Sequence, residues 1–310
     1  MKLIASMSYI SPEPSVVALG CFDGVHLGHA AVIEKAVKTA RALGCPCTVW
    51  TFAEPPKNFF LENAVPLITD VTEKQTRIAS LGADTLVCVP FTQEIASLEA
   101  REFFEQILLG QLKAQHLVCG YNYHFGARGS GNTNLLAELC AESGIPLSII
   151  PPVTVGTLPI SSTEIRRAIS EGRIEDARAM LGRAYSICEP VVDGQHWART
   201  LGFPTVNQIF PPKRLIPRAG VYLSRVTLSD GAQYFAISNV GTRPTVEDNT
   251  LCCESHLFDF SGNLYGQTLT VEFLKFLRPE RKFDSIDALA EQVRADIETA
   301  KRSVKVEEYR

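Results

Sequence analysis

The stretch Gly20–His29, GCFDGVHLGH, concentrates residues that can do chemistry near the start of the chain. His26 and His29 stand three residues apart, with Asp23 just before them. These side chains could hold a metal ion, but a closed site needs a third and a fourth ligand and only one carboxylate is nearby. A capped turn that happens to carry surface histidines is a second interpretation, and a cradle for phosphate groups is a third.

The elements on either side favour the phosphate cradle. Val16–Leu19 is a short apolar run that predicts a buried strand, and apolar residues at helical spacing predict a helix over 30–43. A strand that turns into a helix offers backbone N–H groups at the positive end of the helix dipole, and His26 and His29 would add two donors there. The glycines that would let the backbone approach a ligand closely are Gly20, Gly24 and Gly28.

Short apolar runs alternate with helical stretches from about residue 16 to residue 151. The predicted strands are Val16–Leu19, Thr48–Phe52, Thr85–Val89, His116–Cys119 and Pro146–Ile150, and the predicted helices cover 30–43, 73–81, 98–112 and 134–143. This alternation predicts an α/β domain with a doubly wound parallel sheet. Ligands of such sheets bind beyond the carboxyl ends of the strands, where the Gly20–His29 loop would lie.

The second half has a different pattern. Two short helices are expected over 161–181, followed by segments in which apolar and polar residues alternate as in half-buried strands. The predicted hairpins are 220–228 with 233–240 and 254–260 with 264–276, and a last helix is predicted over 285–302. We therefore expect a mostly antiparallel β-barrel with a C-terminal helix. A boundary near Tyr185 gives domains 1–184 and 185–310.

Composition restricts the class of protein. The chain has 310 residues, 45% of them hydrophobic and 21% charged, with a formal net charge of −4. That balance gives no reason to expect a nucleic-acid or membrane partner. The first 15 residues are too polar for a signal peptide, so none is expected. Nine scattered cysteines argue against a closed disulfide framework and favour a reducing, cytoplasmic compartment.

The Gly20–His29 stretch resembles the nucleotide-binding signature of the HxGH nucleotidylyltransferases, and its FDGVHLGH form resembles the bifunctional riboflavin kinase/FAD synthetase family of bacteria. Further motifs follow in that family's order through nearly the whole chain. The segments that carry the resemblance are Gly120–Phe125 with Gly126, Arg128 and Gly129, Ser161–Arg166, Leu181–Tyr185, Leu201–Asn207, Gly220–Tyr222, Asn239–Thr245, Glu254–Phe260 and Arg278–Phe283. Each motif alone is weak, but together they identify the chain as similar to this family across two modules.

For the first module the resemblance implies transfer of AMP from ATP to FMN, which gives FAD and pyrophosphate. His26 and His29 would contact the ATP phosphates and stabilise the transition state, because such transfers need positioned charge more than a covalent nucleophile. Arg166 would be a third catalytic group, and Asn122 would bind near the flavin. The other implied ATP or phosphate contacts are Gly20, Phe22, Gly24, Gly28, Arg128, Ser162 and Thr163. Taken alone, Ser162–Arg166 is equally a capped amphipathic helix, and Asn122 a turn residue.

For the second module the resemblance implies phosphorylation of riboflavin to FMN by ATP. Thr205 and Asn207 would hold Mg²⁺ and the ATP phosphates through oxygen ligands, and Gly194 would lie against ATP. Glu254 would be the general base that takes the proton of the riboflavin 5′-hydroxyl. Arg278 and Phe283 would shape the flavin end. Without the resemblance, Thr205–Asn207 is a strand start and Glu254 a solvated edge charge.

The chain departs from the family pattern in three places. Ala53–Pro56 stands where the family usually carries a histidine between prolines. Ala198 replaces a usual glycine, and Asp193 occupies a position where a basic or imidazole side chain is common. Three hypotheses remain. The chain is a bifunctional enzyme that makes FMN and then FAD, or it has one active module, the FAD synthetase before the kinase, with the other reduced to binding or scaffolding, or it is a flavin-binding protein without catalysis. The oligomeric state is left open.

Overall fold

The structure, a computed structural model, describes residues 1–192, 205–242 and 251–307. The chain divides into two compact units, Met1–Ser162 and Thr163–Arg310. No helix among the described residues is both long and apolar enough to cross a membrane.

A six-stranded parallel sheet forms the first unit, as the alternating pattern predicts. Its strands are β1 Lys2–Ile4, β2 Ser15–Leu19, β3 Cys47–Phe52, β4 Thr85–Val89, β5 Ala114–Gly120 and β6 Leu147–Ile150. The strand order is β1-β4-β3-β2-β5-β6. The chain leaves β2 towards β3 and β4 and later continues on the other side of β2 with β5 and β6. The topological switch point, where doubly wound sheets bind ligands, therefore lies between β2 and β5.

Helices cover both faces of this sheet. They are α1 Leu27–Leu43, α2 Val71–Ser80, α3 Gln93–Ser97, α4 Ala100–Glu102, a π-helix Phe103–Gln111 and α5 Thr133–Ser143, with 3₁₀ turns at Pro56–Phe59 and Ala127–Gly129. All five residues of β2 are buried; Val17 and Leu19 pack into one core cluster, and Val16 and Ala18 into the other. Burial on both faces explains why β2 has no polar alternation.

The helix predicted over 98–112 begins at Ala100 and continues as a π-helix from Phe103 to Gln111, and the separate short helix α3 before it was not predicted. Leu98 has extended backbone with ψ 122°, which ends α3. Glu99 then caps a new helix, because its backbone N–H donates to the Glu102 carboxylate at 3.0 Å and its own side chain accepts in return. The predicted helix thus starts two residues early, because apolar periodicity does not mark the end of a helix to the residue.

The second unit contains an antiparallel six-stranded sheet, as predicted. The first unit ends with two two-residue strands, β7 Thr154–Val155 and β8 Leu158–Pro159. The helix α6 Ser162–Glu171 begins at the unit boundary. The remaining elements are α7 Ile174–Leu181, β9 Tyr185–Pro190, β10 Val206–Ile209, β11 Gly220–Thr227, β12 Gln233–Thr242, β13 Leu251–Leu257, β14 Thr268–Pro279 and α8 Ile286–Glu307. The order is β10-β13-β12-β11-β14-β9. The Val192 N–H donates to the Asn207 carbonyl at 2.8 Å, which brings the two edges together and nearly closes a barrel.

The hairpin predicted from 254–260 and 264–276 is wrong in its pairing. Both strands exist, but β13 pairs with β12 and β10, whereas β14 pairs with β11 and β9. Residues 258–267 therefore connect strands that are not neighbours. Alternating polarity predicts a strand and its buried face, but it does not say which strand lies alongside.

Candidate functional sites

The loop after β2 brings His26 and His29 together at the start of α1. His26 is the N-cap residue, and its Nδ1 accepts a hydrogen bond from the His29 backbone N–H at 3.2 Å. Because Nδ1 accepts, the neutral His26 ring carries its proton on Nε2. The two rings stack, with centroids 3.5 Å apart and planes 16° from parallel. The structure thus brings the two histidines together, and their contact with the ATP phosphates stays a prediction.

The first turn of α1 is suited to an anion. It consists of Leu27, Gly28, His29 and Ala30 and carries no acidic residue. The backbone N–H groups of Leu27 and Gly28 have no carbonyl four residues earlier within the helix, so helix geometry leaves them to a cap or a ligand. A Cβ on Gly28 would lie 3.2 Å from the His26 ring, which makes glycine the residue that fits beside the stacked imidazoles.

Gly20, Phe22 and Gly24 shape this loop from within. The Phe22 side chain is 1% exposed, and its ring would lie 2.8 Å from a Cβ on Gly20. The edge of the same ring meets His29, with centroids 5.3 Å apart. The Gly24 N–H donates to the Thr69 hydroxyl at 3.0 Å. Contact of these three residues with ATP stays a prediction, and their observed partners are protein groups.

Asp23 serves the loop as an anchor. Its carboxylate, only 2% exposed, accepts hydrogen bonds from the backbone N–H groups of Ile68 and Thr69, both at 3.1 Å. Its backbone carbonyl accepts from the Ser162 hydroxyl at 2.9 Å. The sequence analysis missed the 68–69 segment, because nothing in its residue types points to a partner 45 positions away. Among the described residues, no group of three or more His, Cys, Asp and Glu side chains is arranged to hold a metal ion.

The loop after β5 reaches the same edge of the sheet, because β5 is the parallel neighbour of β2. Asn122 and Arg128 are both exposed there. The Asn122 Oδ1 lies 3.5 Å from the position of a Cβ on Gly120, so the amide folds back over the end of the strand. Arg128 has a positive φ of 55° inside its 3₁₀ turn. The fold thus places the two predicted loops on the two sides of the switch point.

A cavity of about 190 Å³ lies beyond the ends of β3 and β4. It is lined by Ala53, Glu54, Pro55, Asn58, Phe59, Pro90 and Phe91. The Phe91 ring packs edge-on against both Phe52 and Phe59, with centroids 5.1 and 5.6 Å away. Three residues of the stretch that lacks the family's histidine, Ala53, Glu54 and Pro55, therefore form part of the wall of an aromatic cleft. The sequence did not predict that cleft.

Thr163 and Arg166 belong to the second unit, in the first turns of α6. Thr163 is exposed and Arg166 is half-buried. Glu164 between them accepts hydrogen bonds or ion pairs from Arg167 at 2.7 Å and Arg173 at 3.1 Å, which hold the pKa of its carboxyl below the usual range. The roles of Thr163 and Arg166 towards phosphate stay predictions.

Asn207, Glu254 and Asn239 form one row across three adjacent strands of the barrel. Glu254 on β13 pairs in register with Asn207 on β10 and with Asn239 on β12. Paired residues project to the same side of a sheet, so these three side chains share a face. The Asn239 amide donates to the Glu280 carboxylate at 3.2 Å. Asn239 and Glu280 were not among the predicted site residues, and strand register is the signal that finds them.

The side chain of Asn207 has the features expected of a metal ligand. Its side chain is 5% exposed, and no donor within the described part of the chain reaches its Oδ1. Buried amide oxygens are normally satisfied, so an orphan oxygen needs an explanation. Thr205 lies half-buried just before β10. Gly194, like Asp193 and Ala198, lies outside the described residues.

Arg278 is held by the C-terminal helix. Its Nε and Nη2 donate to the Asp296 carboxylate of α8 at 3.0 and 2.7 Å. Its guanidinium carbon also lies 5.9 Å from the centroid of the Phe283 ring. The structure thus joins the two residues predicted at the flavin end, and it adds Asp296, which the sequence analysis did not single out.

Family models match the two halves of the chain separately. The model described as FAD synthetase matches residues 9–164, and the model described as riboflavin kinase matches residues 181–304.

Relatives match nearly the full length of the chain. The bifunctional riboflavin kinase/FMN adenylyltransferase of Pseudomonas fluorescens is 35% identical over 304 residues and covers 97% of each chain. The protein of the same description from Escherichia coli K12 is 33% identical over 306 residues, again 97% of each chain. A crystal structure from Streptococcus pneumoniae, described as a macrolide-efflux protein, matches with a TM-score of 0.88 and 32% identity over 97% of this chain and 99% of that one.

Proposed function

Because the chain belongs to the family of bifunctional riboflavin kinase/FMN adenylyltransferases, we propose that it catalyses two successive reactions. It phosphorylates riboflavin to FMN with ATP, and it then transfers AMP from a second ATP to FMN, giving FAD and pyrophosphate. The observation that carries the proposal is the match of one family model per reaction to separate halves of a chain whose relatives span both.

Adenylylation belongs to the first unit. The stacked His26 and His29 rings, the backbone N–H groups of Leu27 and Gly28 at the start of α1 and the absence of acidic residues in its first turn all favour polyphosphate. His26 Nε2–H donates a hydrogen bond to a phosphate oxygen, and the imidazoles stabilise the charge that develops as the α-phosphate is attacked. Arg128 and Ser162 of the same unit add phosphate contacts, with the Ser162 hydroxyl held by the Asp23 carbonyl. The resemblance assigns Arg166 as a third catalytic group and Thr163 as a further phosphate contact. Asn122 binds near the flavin.

The aromatic cleft beyond β3 and β4 takes the flat isoalloxazine ring of FMN in this proposal. Its wall contains Phe59 and Phe91, and it opens at the same carboxyl edge of the sheet as the His26–His29 loop. Aromatic rings stack on such faces.

Phosphorylation belongs to the barrel. Glu254 takes the proton of the riboflavin 5′-hydroxyl, which leaves an oxygen able to attack the γ-phosphate of ATP. Arg278, fixed by Asp296, and Phe283 hold the flavin end. Gly194 is assigned to ATP from the sequence alone.

Mg²⁺ fits the residues at the start of β10. The buried and unsatisfied Oδ1 of Asn207 is a hard oxygen donor of the kind this cation takes, and the Thr205 hydroxyl is a second. When bound there, Mg²⁺ neutralises charge on the ATP phosphates during transfer.

We place the domain boundary near Tyr185, at the start of β9, giving domains 1–184 and 185–310. The partners are then small molecules: riboflavin, FMN, FAD and ATP. The proposed compartment is the cytoplasm, because nine scattered cysteines argue against a closed disulfide framework.

One assay tests the function. The purified chain is incubated with riboflavin, ATP and Mg²⁺, and FMN and FAD are followed by chromatography. We expect FMN first and FAD later. FAD from supplied FMN without FMN from riboflavin would leave only the adenylyltransferase active, and the reverse would leave only the kinase. Absence of both products would refute the enzyme.

A further inference from the structure

Lys74 of α2 is buried beneath the loop that carries His26 and His29. Its side chain is 1% exposed, which places it among the largest fully buried side chains of the chain. Its Nζ donates to the Phe52 carbonyl at 2.7 Å and to the Cys21 carbonyl at 3.2 Å. Phe52 is the last residue of β3, and Cys21 lies two residues past the end of β2. One ammonium group thus joins the carboxyl ends of two neighbouring strands.

The Lys74 charge has no carboxylate partner. Within the described residues, no Asp or Glu oxygen lies within 4.0 Å of its Nζ. Burying an ammonium without a counter-ion is unfavourable, and an apolar side chain of similar volume would fill the space at a smaller desolvation penalty. A buried lysine at this point therefore indicates a use for its charge or for its donors.

The loop above Lys74 needs anchoring. Phe22 and Val25 have positive φ angles of 49° and 37°, a region that residues with large side chains rarely adopt. Such conformations persist only where the surroundings fix them. The Cys21 carbonyl, directly before Phe22, is held by the Lys74 ammonium and by the Thr51 hydroxyl at 2.8 Å.

We propose that Lys74 is a positioning residue for adenylylation: its ammonium fixes the Cys21 and Phe52 carbonyls, and so sets the loop that presents His26, His29 and the first turn of α1 to the triphosphate. Its positive charge lies on the protein side of that loop, so binding of a polyphosphate on the other side provides the compensation that the protein itself does not. The inference rests on the proposed adenylylation.

The test compares full-length Lys74→Met, Lys74→Arg and Lys74→Gln with Lys38→Met. Lys38 lies on the exposed face of α1 and serves as the control for loss of one lysine. We measure kcat and the KM for ATP in FAD formation, FMN formation from riboflavin, and the rise in unfolding temperature caused by inorganic pyrophosphate.

Lys74→Met is expected to lower kcat/KM for FAD formation about 100-fold, the scale of a misplaced site, and to reduce the pyrophosphate-induced stabilisation. FMN formation is expected to stay unchanged. Lys74→Arg is expected to recover most of the activity, because it keeps the charge and several donors. Lys74→Gln, which keeps donors without charge, is expected to resemble Lys74→Met, and Lys38→Met to resemble the wild type.

Wild-type kcat/KM and pyrophosphate response in Lys74→Met would overturn the proposal. So would equal losses in the Met and Arg variants together with a lower unfolding temperature of the free protein, because that pattern belongs to packing alone. If Lys74→Met does not fold, the Arg and Gln variants decide, and equal activity in both refutes the need for charge. A wild-type chain that makes no FAD would instead refute the proposed function, while pyrophosphate binding still reports on Lys74.

Discussion

The two units gather their candidate catalytic and phosphate-binding groups in different ways. In the first unit, His26, His29 and the N–H groups of the first helical turn come from consecutive residues at the edge of a parallel sheet. In the second, Asn207 and Glu254 lie 47 positions apart and meet only because β10 pairs with β13. A local site depends on the anchoring of one loop, whereas a row across strands depends on the register of the whole barrel.

Replacing Glu254 with glutamine tests the row of Asn207, Glu254 and Asn239 in the barrel. FMN formation from riboflavin is expected to fall about 10²–10⁴-fold, the usual contribution of a general base, because the amide cannot take the hydroxyl proton. FAD formation from supplied FMN is expected to stay at the wild-type rate. Initial rates of both reactions, followed by chromatography, measure the effect.

The matched control is Glu272→Gln on β14, where the carboxylate pairs with Arg225 at 2.6 Å and lies outside the row. It removes the same charge from the same barrel. A kinase loss in Glu272→Gln as large as in Glu254→Gln would show that the barrel requires its carboxylates for folding, and would remove Glu254 as the base.

Replacing His29 with alanine tests the loop. FAD formation from FMN is expected to fall about 10²–10³-fold, which is the usual cost of removing one hydrogen-bond donor that stabilises transition-state charge. FMN formation is expected to stay unchanged. His116→Asn is the control, because His116 lies near the start of β5 and its Nε2 contacts the Ser148 hydroxyl at 2.9 Å. If His29→Ala and Glu254→Gln each lost both activities equally, the two-site arrangement would be wrong.

The loop that carries His26 and His29 could be predicted from the sequence because its signals are local. The order of strand, glycine turn and helix predicts the sheet, the carboxyl edge and the paired imidazoles without knowledge of any distant residue. It could not find the anchors of that loop, since Lys74 and Thr69 lie about 50 positions further along the chain and their types suggest only a helix and its lead-in.

For the barrel, the strands could be predicted but their pairing and the residues around the candidate site could not. Polarity alternation predicted its strands, but it paired β13 with β14, whereas each pairs elsewhere. Strand pairing depends on interactions between distant segments, which one sequence does not display. For the same reason Asn239, Glu280 and Asp296 were missed, although each lies in or near a segment that the resemblance included or that was predicted to be helical.

Asp296→Asn tests how far the barrel site depends on α8. The Arg278–Asp296 pair is largely buried, with side-chain exposures of 19% and 7%. Weakening it is expected to lower the free energy of unfolding by about 1.5–3 kcal/mol, the range for hydrogen bonds to charged groups. The KM for riboflavin is expected to rise, with FAD formation from FMN unchanged. Asp287→Asn, on the exposed first turn of α8, is the control. An equal effect of Asp287→Asn would show that the loss does not come from the Arg278–Asp296 ion pair.

The smallest expected effect concerns the amino end of the parallel sheet, opposite the candidate site. The Asp84 carboxylate, before β4, accepts hydrogen bonds from Arg41 at 2.8 and 3.0 Å and from the Cys47 N–H at 2.8 Å. The Arg41 guanidinium holds the pKa of Asp84 below its usual range.

A carboxyl whose pKa is lower in the folded chain stabilises the fold above its unfolded pKa of about 3.9, and that stabilisation is lost as the pH falls through the folded value. Asp84→Asn is therefore expected to lower the unfolding temperature slightly at pH 7, and the difference from the wild type should shrink below about pH 4. Glu34→Gln, on the exposed face of α1, controls for the lost charge. FAD formation should not change, because no step of the chemistry reaches this end of the strands.

A fall in FAD formation with Asp84→Asn would mean that the loop with His26 and His29 depends on the whole sheet, as the row of Asn207, Glu254 and Asn239 depends on its barrel. The contrast between the two units would then disappear.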